Sequence, residues 1–206
     1  MIVNAAAIII GYLLGSIPSA YIITRVITGK DIRQLGSGNI GALNTFREVG
    51  RRAGIAVFLA DAGKGAAVVA IAKWGLGVPY EFLLLAALAA VIGHMWPVFL
   101  RFIGGRGMAT IFGILAVFMP LNGYLLEFLI FLGIIFIFLI VTHRNVALSM
   151  TLGLVSVPIS TWFQDKPWLF VVISAVFLIL VVIRMMPIIR DAWARSRNVK
   201  DFIRGQ

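Results

Sequence analysis

The sequence predicts an all-α, polytopic membrane protein with about seven transmembrane helices, an external N-terminus and a cytoplasmic C-terminus. Apolar residues make up 61% of the 206 residues, whereas soluble domains contain about 45–50%. The apolar residues are gathered into runs, and a helix needs about 20 such residues to cross a bilayer core. The basic residues between the runs fall almost entirely on one side of the predicted membrane. We therefore interpret residues 1–206 as one integral-membrane domain.

Each apolar run is a candidate transmembrane span. In chain order the spans are 3–23, 53–74, 82–100, 108–119, 124–141, 146–163 and 168–186. The fourth run is short, and the distribution of charge tests it. If all of these runs cross, only Lys73 and Lys166 of the 18 basic residues lie outside. If the fourth does not cross, the basic residues divide almost evenly, against the positive-inside rule. The charge pattern thus favours seven crossings and makes 190–206 a basic cytoplasmic tail.

The stretch 36–41 reads GSGNIG and matches the G-x-G-x-x-G pattern of dinucleotide-binding loops. That fingerprint requires a preceding strand within a βαβ unit, whereas this stretch lies between two membrane spans. A flexible cytoplasmic loop is one interpretation. The other is an anion site, because glycine amides, polar side chains and a guanidinium together bind phosphate. The candidate side chains are Ser37, Asn39, Asn44 and Arg47.

A second glycine-rich stretch, GGRG at 104–107, opens the fourth span. The N-terminus of a helix attracts anions through its free amides and its dipole. Gly104, Gly105 and Gly107 would allow close approach, and Arg106 adds positive charge. A glycine hinge with an arginine that only sets topology is the alternative. Two such loops on one membrane face favour a site for two phosphate groups.

Ionisable residues also occur within the predicted spans. Asp61 and Lys64 lie three residues apart on one helical face, where each charge costs about 2.5–3.5 kcal/mol on insertion scales. They form either a structural ion pair or a site in which Lys64 contacts a phosphate and Asp61 orients it. His94 is more typical of a packed residue than of a catalytic base. The position of Arg144 at the end of the fifth span could be explained by the positive-inside rule alone.

The sequence also excludes several chemistries. It contains no cysteine, so thiol catalysis and cysteine-ligated metals are excluded. No G-x-S-x-G nucleophile motif is present, and neither histidine has a carboxylate at ligand-like spacing. We expect no metal, no cofactor and no nucleic acid. With no strong general base in view, a reaction would have to start from an activated donor.

Several stretches together resemble one family. They are GSIPSAYIITR from 15, GSGNIGALNTFREVGRRAG from 36, DAGKG from 61 and GHMWPVFLRFIGGRGMAT from 93. The chain resembles the bacterial acyl-phosphate:glycerol-3-phosphate acyltransferases, the PlsY family. The resemblance implies an enzyme of phospholipid synthesis in the bacterial cytoplasmic (inner) membrane, with its active site facing the cytoplasm. It would transfer a fatty acyl group from acyl phosphate to the 1-hydroxyl of glycerol 3-phosphate, giving lysophosphatidic acid and phosphate.

The resemblance also implies the partners and the site. The partners are acyl phosphate, glycerol 3-phosphate and membrane lipid, with no obligate protein partner. The catalytic residues would be Ser37, Arg47 and Arg106, the last standing where the family usually has lysine. The substrate-binding residues would be Asn39, Asn44, Lys64, Gly104, Gly105, Gly107, Arg144 and Asn198. In the tail, Arg195 stands where the family has histidine, and after the fifth span Ala147 replaces a serine.

Two other functions remain open on the sequence alone. A small transporter for an organic phosphate would place polar groups near the bilayer midplane and often contains inverted repeats. No repeat is visible, and most polar groups crowd the cytoplasmic side. A degenerate, non-catalytic relative is the second alternative, and the altered tail supports it.

Overall fold

The computed structural model describes residues 1–141 and 145–195, and the regular structure in these ranges is entirely helical. The α-helices are α1 Ile2–Gly15, α2 Ser19–Thr28, α3 Ala42–Glu48, α4 Arg51–Ala70, α5 Tyr80–Met95, α6 Met108–Leu121, α7 Leu125–Val141, α8 Val146–Phe163 and α9 Trp168–Arg195. Short 3-10 turns occupy Ile32–Gln34 and Val98–Leu100, and a π-helical turn, Ile71–Gly75, extends α4. The prediction of an all-α fold is confirmed for the described residues.

Within the described residues, five helical segments are long and apolar enough to cross a membrane. They are Ile2–Thr28, Arg51–Gly75, Tyr80–Leu100, Val146–Phe163 and Trp168–Pro187. Two shorter apolar helices, Met108–Leu121 and Leu125–Val141, coincide with the fourth and fifth predicted spans. Each predicted apolar run therefore coincides for most of its length with helix.

The first span differs from its prediction as one continuous helix. Helix α1 ends at Gly15, and α2 begins at Ser19. Pro18 lies between them, and proline has no amide hydrogen to donate to the preceding turn. After the break the chain stays helical to Thr28, beyond the predicted end of the span. The segment 16–18 is called the helix break below.

The chain divides into two compact units, Met1–Phe118 and Met119–Gln206. In the first unit α5 packs against α1 and α4, while α2 and α3 pack against α4. In the second unit α8 packs against both α7 and α9. The motif stretches of the family resemblance all lie in the first unit.

Helices α1 and α5 approach each other through small residues. A Cβ atom added to Gly11 would meet the backbone carbonyl of Ala86, and one added to Gly15 would meet that of Ala90. Lipid gives no hydrophobic drive for helix association, so close van der Waals packing of small residues takes that role. The Tyr12 hydroxyl adds a hydrogen bond of 2.9 Å to the Trp96 carbonyl. The C-terminal end of α5 is thus fixed against α1.

The second unit contains a buried ion pair of its own. The Glu127 side chain in α7 is 1% exposed, and its Oε1 atom lies 3.3 Å from Lys166 Nζ. Lys166 Nζ also lies 4.9 Å from the centre of the Tyr124 ring, within range of a cation–π interaction. This pair joins the start of α7 to the segment between α8 and α9.

The packing of α1 against α5 predicts that a glycine-to-alanine substitution lowers the stability of the protein at some positions and not at others. Gly11→Ala should destabilise the protein by about 1–3 kcal/mol, because overpacking forces the helices apart. Gly63→Ala in α4 should be neutral or slightly stabilising, because a Cβ there meets nothing within 4 Å and alanine has the higher helix propensity. Thermal unfolding in detergent would measure both. Equal midpoints for the two variants would contradict the close approach.

Candidate functional site

The loop that carries GSGNIG is held in shape by Asn44. The Asn44 Oδ1 atom accepts hydrogen bonds from the amide and the hydroxyl of Ser37, each 3.1 Å long. Its Nδ2 atom donates to the carbonyls of Leu35 at 3.0 Å and Asn39 at 3.1 Å. These bonds use the whole donor and acceptor capacity of the amide, and the residue is 4% exposed. In this structure Asn44 braces the loop, and its predicted contact with a substrate stays a prediction.

The local backbone conformation explains why glycine occupies two positions of this loop. Gly36 and Gly38 have φ angles of 51° and 68°, in the left-handed region that disfavours other residues. A Cβ atom on Gly36 would also meet the side chains of Asn44 and Glu48. Ser37 is exposed on this loop, and Arg47 is exposed on α3, which follows it.

An ion pair stiffens the entrance to the loop. The Asp31 carboxylate accepts bonds from the Arg33 amide at 3.0 Å and from Arg33 Nη2 at 2.6 Å. The Arg33 guanidinium therefore holds the pKa of the Asp31 carboxyl below its ordinary value. At neutral pH this pair is fully ionised and caps the Ile32–Gln34 turn.

The GGRG loop folds tightly onto the C-terminal end of α5. The Gly105 amide donates to the His94 carbonyl at 3.1 Å. A Cβ atom on Gly104 would meet the His94 carbonyl and Pro97, and one on Gly105 would meet the His94 ring and the Ile40 carbonyl. Only glycine fits at these two positions. Since Ile40 belongs to GSGNIG, the structure brings the two predicted glycine loops into contact.

The charges inside the spans meet behind these loops. Asp61 Oδ1 lies 2.9 Å from Lys64 Nζ and 3.6 Å from His94 Nδ1. Lys64 Nζ also donates to the Ile17 carbonyl at 3.0 Å. All three ionisable side chains are at least nine-tenths buried. The predicted Asp61–Lys64 pair is present, and the Lys64 ammonium group also bonds a main-chain carbonyl.

A pocket opens between the helix break, α4, the end of α5 and the GGRG loop. It holds about 200 Å³ of empty space, counted out to its mouth. That space includes open solvent, and its enclosed part has room for about one water molecule. Its polar and glycine lining consists of Gly15, Ser16, Ser19, Asp61, Lys64, His94, Gly104 and Gly105.

Sequence reasoning missed the two serines of this pocket. Ser16 is fully buried, and its hydroxyl has no hydrogen-bond partner among the described residues. Buried polar groups are normally satisfied, so a ligand or water in the pocket would supply the missing partner. The sequence feature that could have revealed these serines is SIPS at 16–19. A proline inside an apolar run interrupts the helix and leaves backbone groups available for other partners.

The predicted site residues fall into three sets. Lys64, Gly104 and Gly105 line the pocket. Ser37 and Asn39 lie on the first glycine loop, Asn44 and Arg47 on α3 directly after it, and Arg106 and Gly107 on the GGRG loop. Arg144 and Asn198 lie outside the described residues. Within the described ranges, no group of three or more metal-ligating side chains is close enough to hold an ion.

Comparison with known proteins agrees with the motif analysis. The family described as glycerol-3-phosphate acyltransferase matches residues 5–195. Glycerol-3-phosphate acyltransferase 1 of Dehalococcoides mccartyi is 43% identical over 180 residues, which cover 87% of this chain and 86% of the relative. The glycerol-3-phosphate acyltransferase of Syntrophomonas wolfei is 42% identical over 182 residues, covering 87% and 88% of the two chains.

Two solved structures share the fold. One is PlsY, an integral membrane glycerol 3-phosphate acyltransferase, in its glycerol 3-phosphate form, with 32% identity and a TM-score of 0.80 over 93% of this chain and 92% of that one. The other is PlsY in its lysophosphatidic acid form, with 30% identity and a TM-score of 0.76 over 98% and 99% of the chains. The family resemblance read from the motifs is confirmed. The chain belongs to the glycerol-3-phosphate acyltransferase family.

Proposed function

We propose that this protein transfers a fatty acyl group from acyl phosphate to the 1-hydroxyl of glycerol 3-phosphate, giving lysophosphatidic acid and phosphate. The observation that carries the proposal is the meeting of the two glycine loops at a pocket lined by Lys64, His94 and Gly105. The similar PlsY structures, in their glycerol 3-phosphate and lysophosphatidic acid forms, support the acceptor and the product.

The topology is part of the proposal. Seven crossings with the C-terminus in the cytoplasm put 16 of the 18 basic residues on the cytoplasmic side, as the positive-inside rule favours. The apolar helices lie where the sequence predicts spans. Both glycine loops then face the cytoplasm of the bacterial inner membrane, where a soluble glycerol 3-phosphate would enter.

The chemistry needs little from the protein beyond positioning and charge. The hydroxyl oxygen of glycerol 3-phosphate attacks the carbonyl carbon of acyl phosphate, and the bond from that carbon to the phosphate oxygen breaks. The departing phosphate accepts the hydroxyl proton. Arg47 stabilises the negative charge that develops on the departing phosphate, and Ser37 orients it. Arg106 binds the phosphate of glycerol 3-phosphate and so holds the attacking hydroxyl at the donor. Arg144 and Asn198 are proposed to contact the substrates as well.

A transporter for an organic phosphate is the second candidate. The helix break and the buried Asp61–Lys64 pair favour it, because transporters bind their substrates at discontinuous helices within the membrane. The two functions differ in what happens to glycerol 3-phosphate. Transport moves glycerol 3-phosphate unchanged, whereas acyl transfer consumes it.

The donor experiment separates these functions. Purified protein in lipid is expected to make lysophosphatidic acid from labelled glycerol 3-phosphate with acyl phosphate and not with acyl-CoA. The activated donor supplies its own leaving group and proton acceptor, which suits a site with two anion-binding loops. Product formation is followed by thin-layer chromatography. Uptake into proteoliposomes without acylation would refute the acyltransferase and support transport.

Arg106 is expected to bind a phosphate substrate. Arg106→Ala should raise the apparent KM for glycerol 3-phosphate by about 10- to 100-fold, the value of a lost charge-assisted hydrogen bond. Arg106→Lys should recover part of that loss, because it restores the charge without the planar fork. Lys30→Ala is the matched control. It also removes one positive charge, and Lys30 is an exposed residue after α2. A KM unchanged in Arg106→Ala would remove the residue from the site.

Asn44 is expected to act through the shape of the loop. Asn44→Ala removes four hydrogen bonds that hold the loop in shape and should lower kcat/KM for both substrates by about tenfold or more. Limited proteolysis within 33–41 should become faster in parallel. Gln34→Ala in the same loop serves as control because Gln34 is exposed. An Asn44→Ala protein with unchanged proteolysis and a raised KM for one substrate alone would indicate direct binding instead.

A further inference from the structure

Asp61 is a buried carboxylate on which two partners converge. Its Oδ1 atom lies 2.9 Å from Lys64 Nζ and 3.6 Å from His94 Nδ1. The side chain is 2% exposed, and an ionised group at that depth is costly without close partners. The positions of Lys64 and His94 are therefore coupled to the carboxylate.

His94 carries this coupling to the GGRG loop by two routes. Its carbonyl accepts the Gly105 amide at 3.1 Å. Its Nε2 atom lies where a Cβ of Gly105 would stand, so the edge of the ring is in contact with the loop backbone. One ring nitrogen of His94 thus faces Asp61 while the other faces Gly105.

Lys64 carries the coupling to the opposite wall of the pocket. Its ammonium group donates to the Ile17 carbonyl in the helix break at 3.0 Å, and the same carbonyl accepts the Ser19 amide at 3.1 Å. The same carboxylate therefore holds both the helix break and the GGRG loop. These two elements face each other across the pocket.

We propose that Asp61 is a positioning residue that, through His94, sets the GGRG loop in place for the phosphate of glycerol 3-phosphate. The proposal rests on the proposed acyltransferase function for the identity of the ligand. Direct contact between Asp61 and the phosphate is unfavourable because both are anionic. The residue acts instead by orienting the imidazole against which Gly105 packs.

Steady-state kinetics in lipid test the proposal. Asp61→Asn keeps the size of the side chain and removes its charge. It should raise the KM for glycerol 3-phosphate by about tenfold and leave kcat within about twofold, as expected for lost coupling within one network. Glu127→Gln is the matched control, because Glu127 is equally buried and paired with a lysine. Its KM should stay at the wild-type value. An unchanged KM in Asp61→Asn, or an equal rise in Glu127→Gln, would overturn the proposal.

A double-mutant cycle with His94 tests the route. His94→Gln removes the nitrogen that faces Asp61 and should raise the KM by a similar factor. If Asp61 acts through His94, the Asp61→Asn/His94→Gln protein should resemble either single variant, because residues of one network are not additive. A KM equal to the product of the two single effects would mean independent roles and would refute this route.

Hydrogen exchange provides a readout that needs no substrate. Exchange of the Gly105 amide should be about tenfold faster in Asp61→Asn than in wild type, because the loop loses its support, while Glu127→Gln leaves it unchanged. Wild-type exchange at Gly105 in Asp61→Asn would overturn the proposal whatever the enzyme assay shows. If the wild-type protein makes no lysophosphatidic acid, the proposed function fails, and the exchange experiment still decides whether Asp61 positions the loop.

Discussion

The pairing of the buried Asp61 carboxylate with Lys64 and His94 holds together the elements that surround the pocket. A buried ion is stabilised only when its partners are close and their remaining polar groups are satisfied. Lys64 lies one turn along α4, forms an ion pair with Asp61 and donates a hydrogen bond to the Ile17 carbonyl. His94 approaches from α5. One charge thereby joins α4 to the helix break and to the element that supports the GGRG loop.

The packing of small residues makes this convergence possible. In the first unit α1 lies against α5 through Gly11 and Gly15, and α4 lies against α6 through Gly65, where a Cβ would meet the Thr110 carbonyl. Such contacts bring backbones closer than large side chains allow. A Cβ on Gly93 would likewise meet Tyr12 and Ser16, so the end of α5 and the helix break are in direct contact.

Local patterns in the sequence predicted where the helices lie, but they did not predict most contacts between helices. The run 146–163 coincides with α8 because hydropathy alone defines such a segment. The helix break was not predicted, since Pro18 sits in a run that stays apolar on both sides. The Asp61–Lys64 pair followed from spacing on one helix, whereas the approach of His94 depends on how α5 packs against α4. The hydrogen bonds from the Asn44 amide to the loop carbonyls likewise depend on how the loop folds back onto α3, and its predicted contact with a substrate stays a prediction.

The glycines of the GGRG loop change how loss-of-function variants in this region are interpreted. A glycine beside a phosphate and a glycine beside a wall of protein give the same phenotype when a side chain is added. At Gly104 and Gly105 the space is already taken by the carbonyl and the ring of His94. An inactive variant at either position therefore reports first on whether the loop still closes against α5. Evidence for a phosphate contact has to come from the neighbouring arginine, whose side chain can be shortened without displacing the backbone.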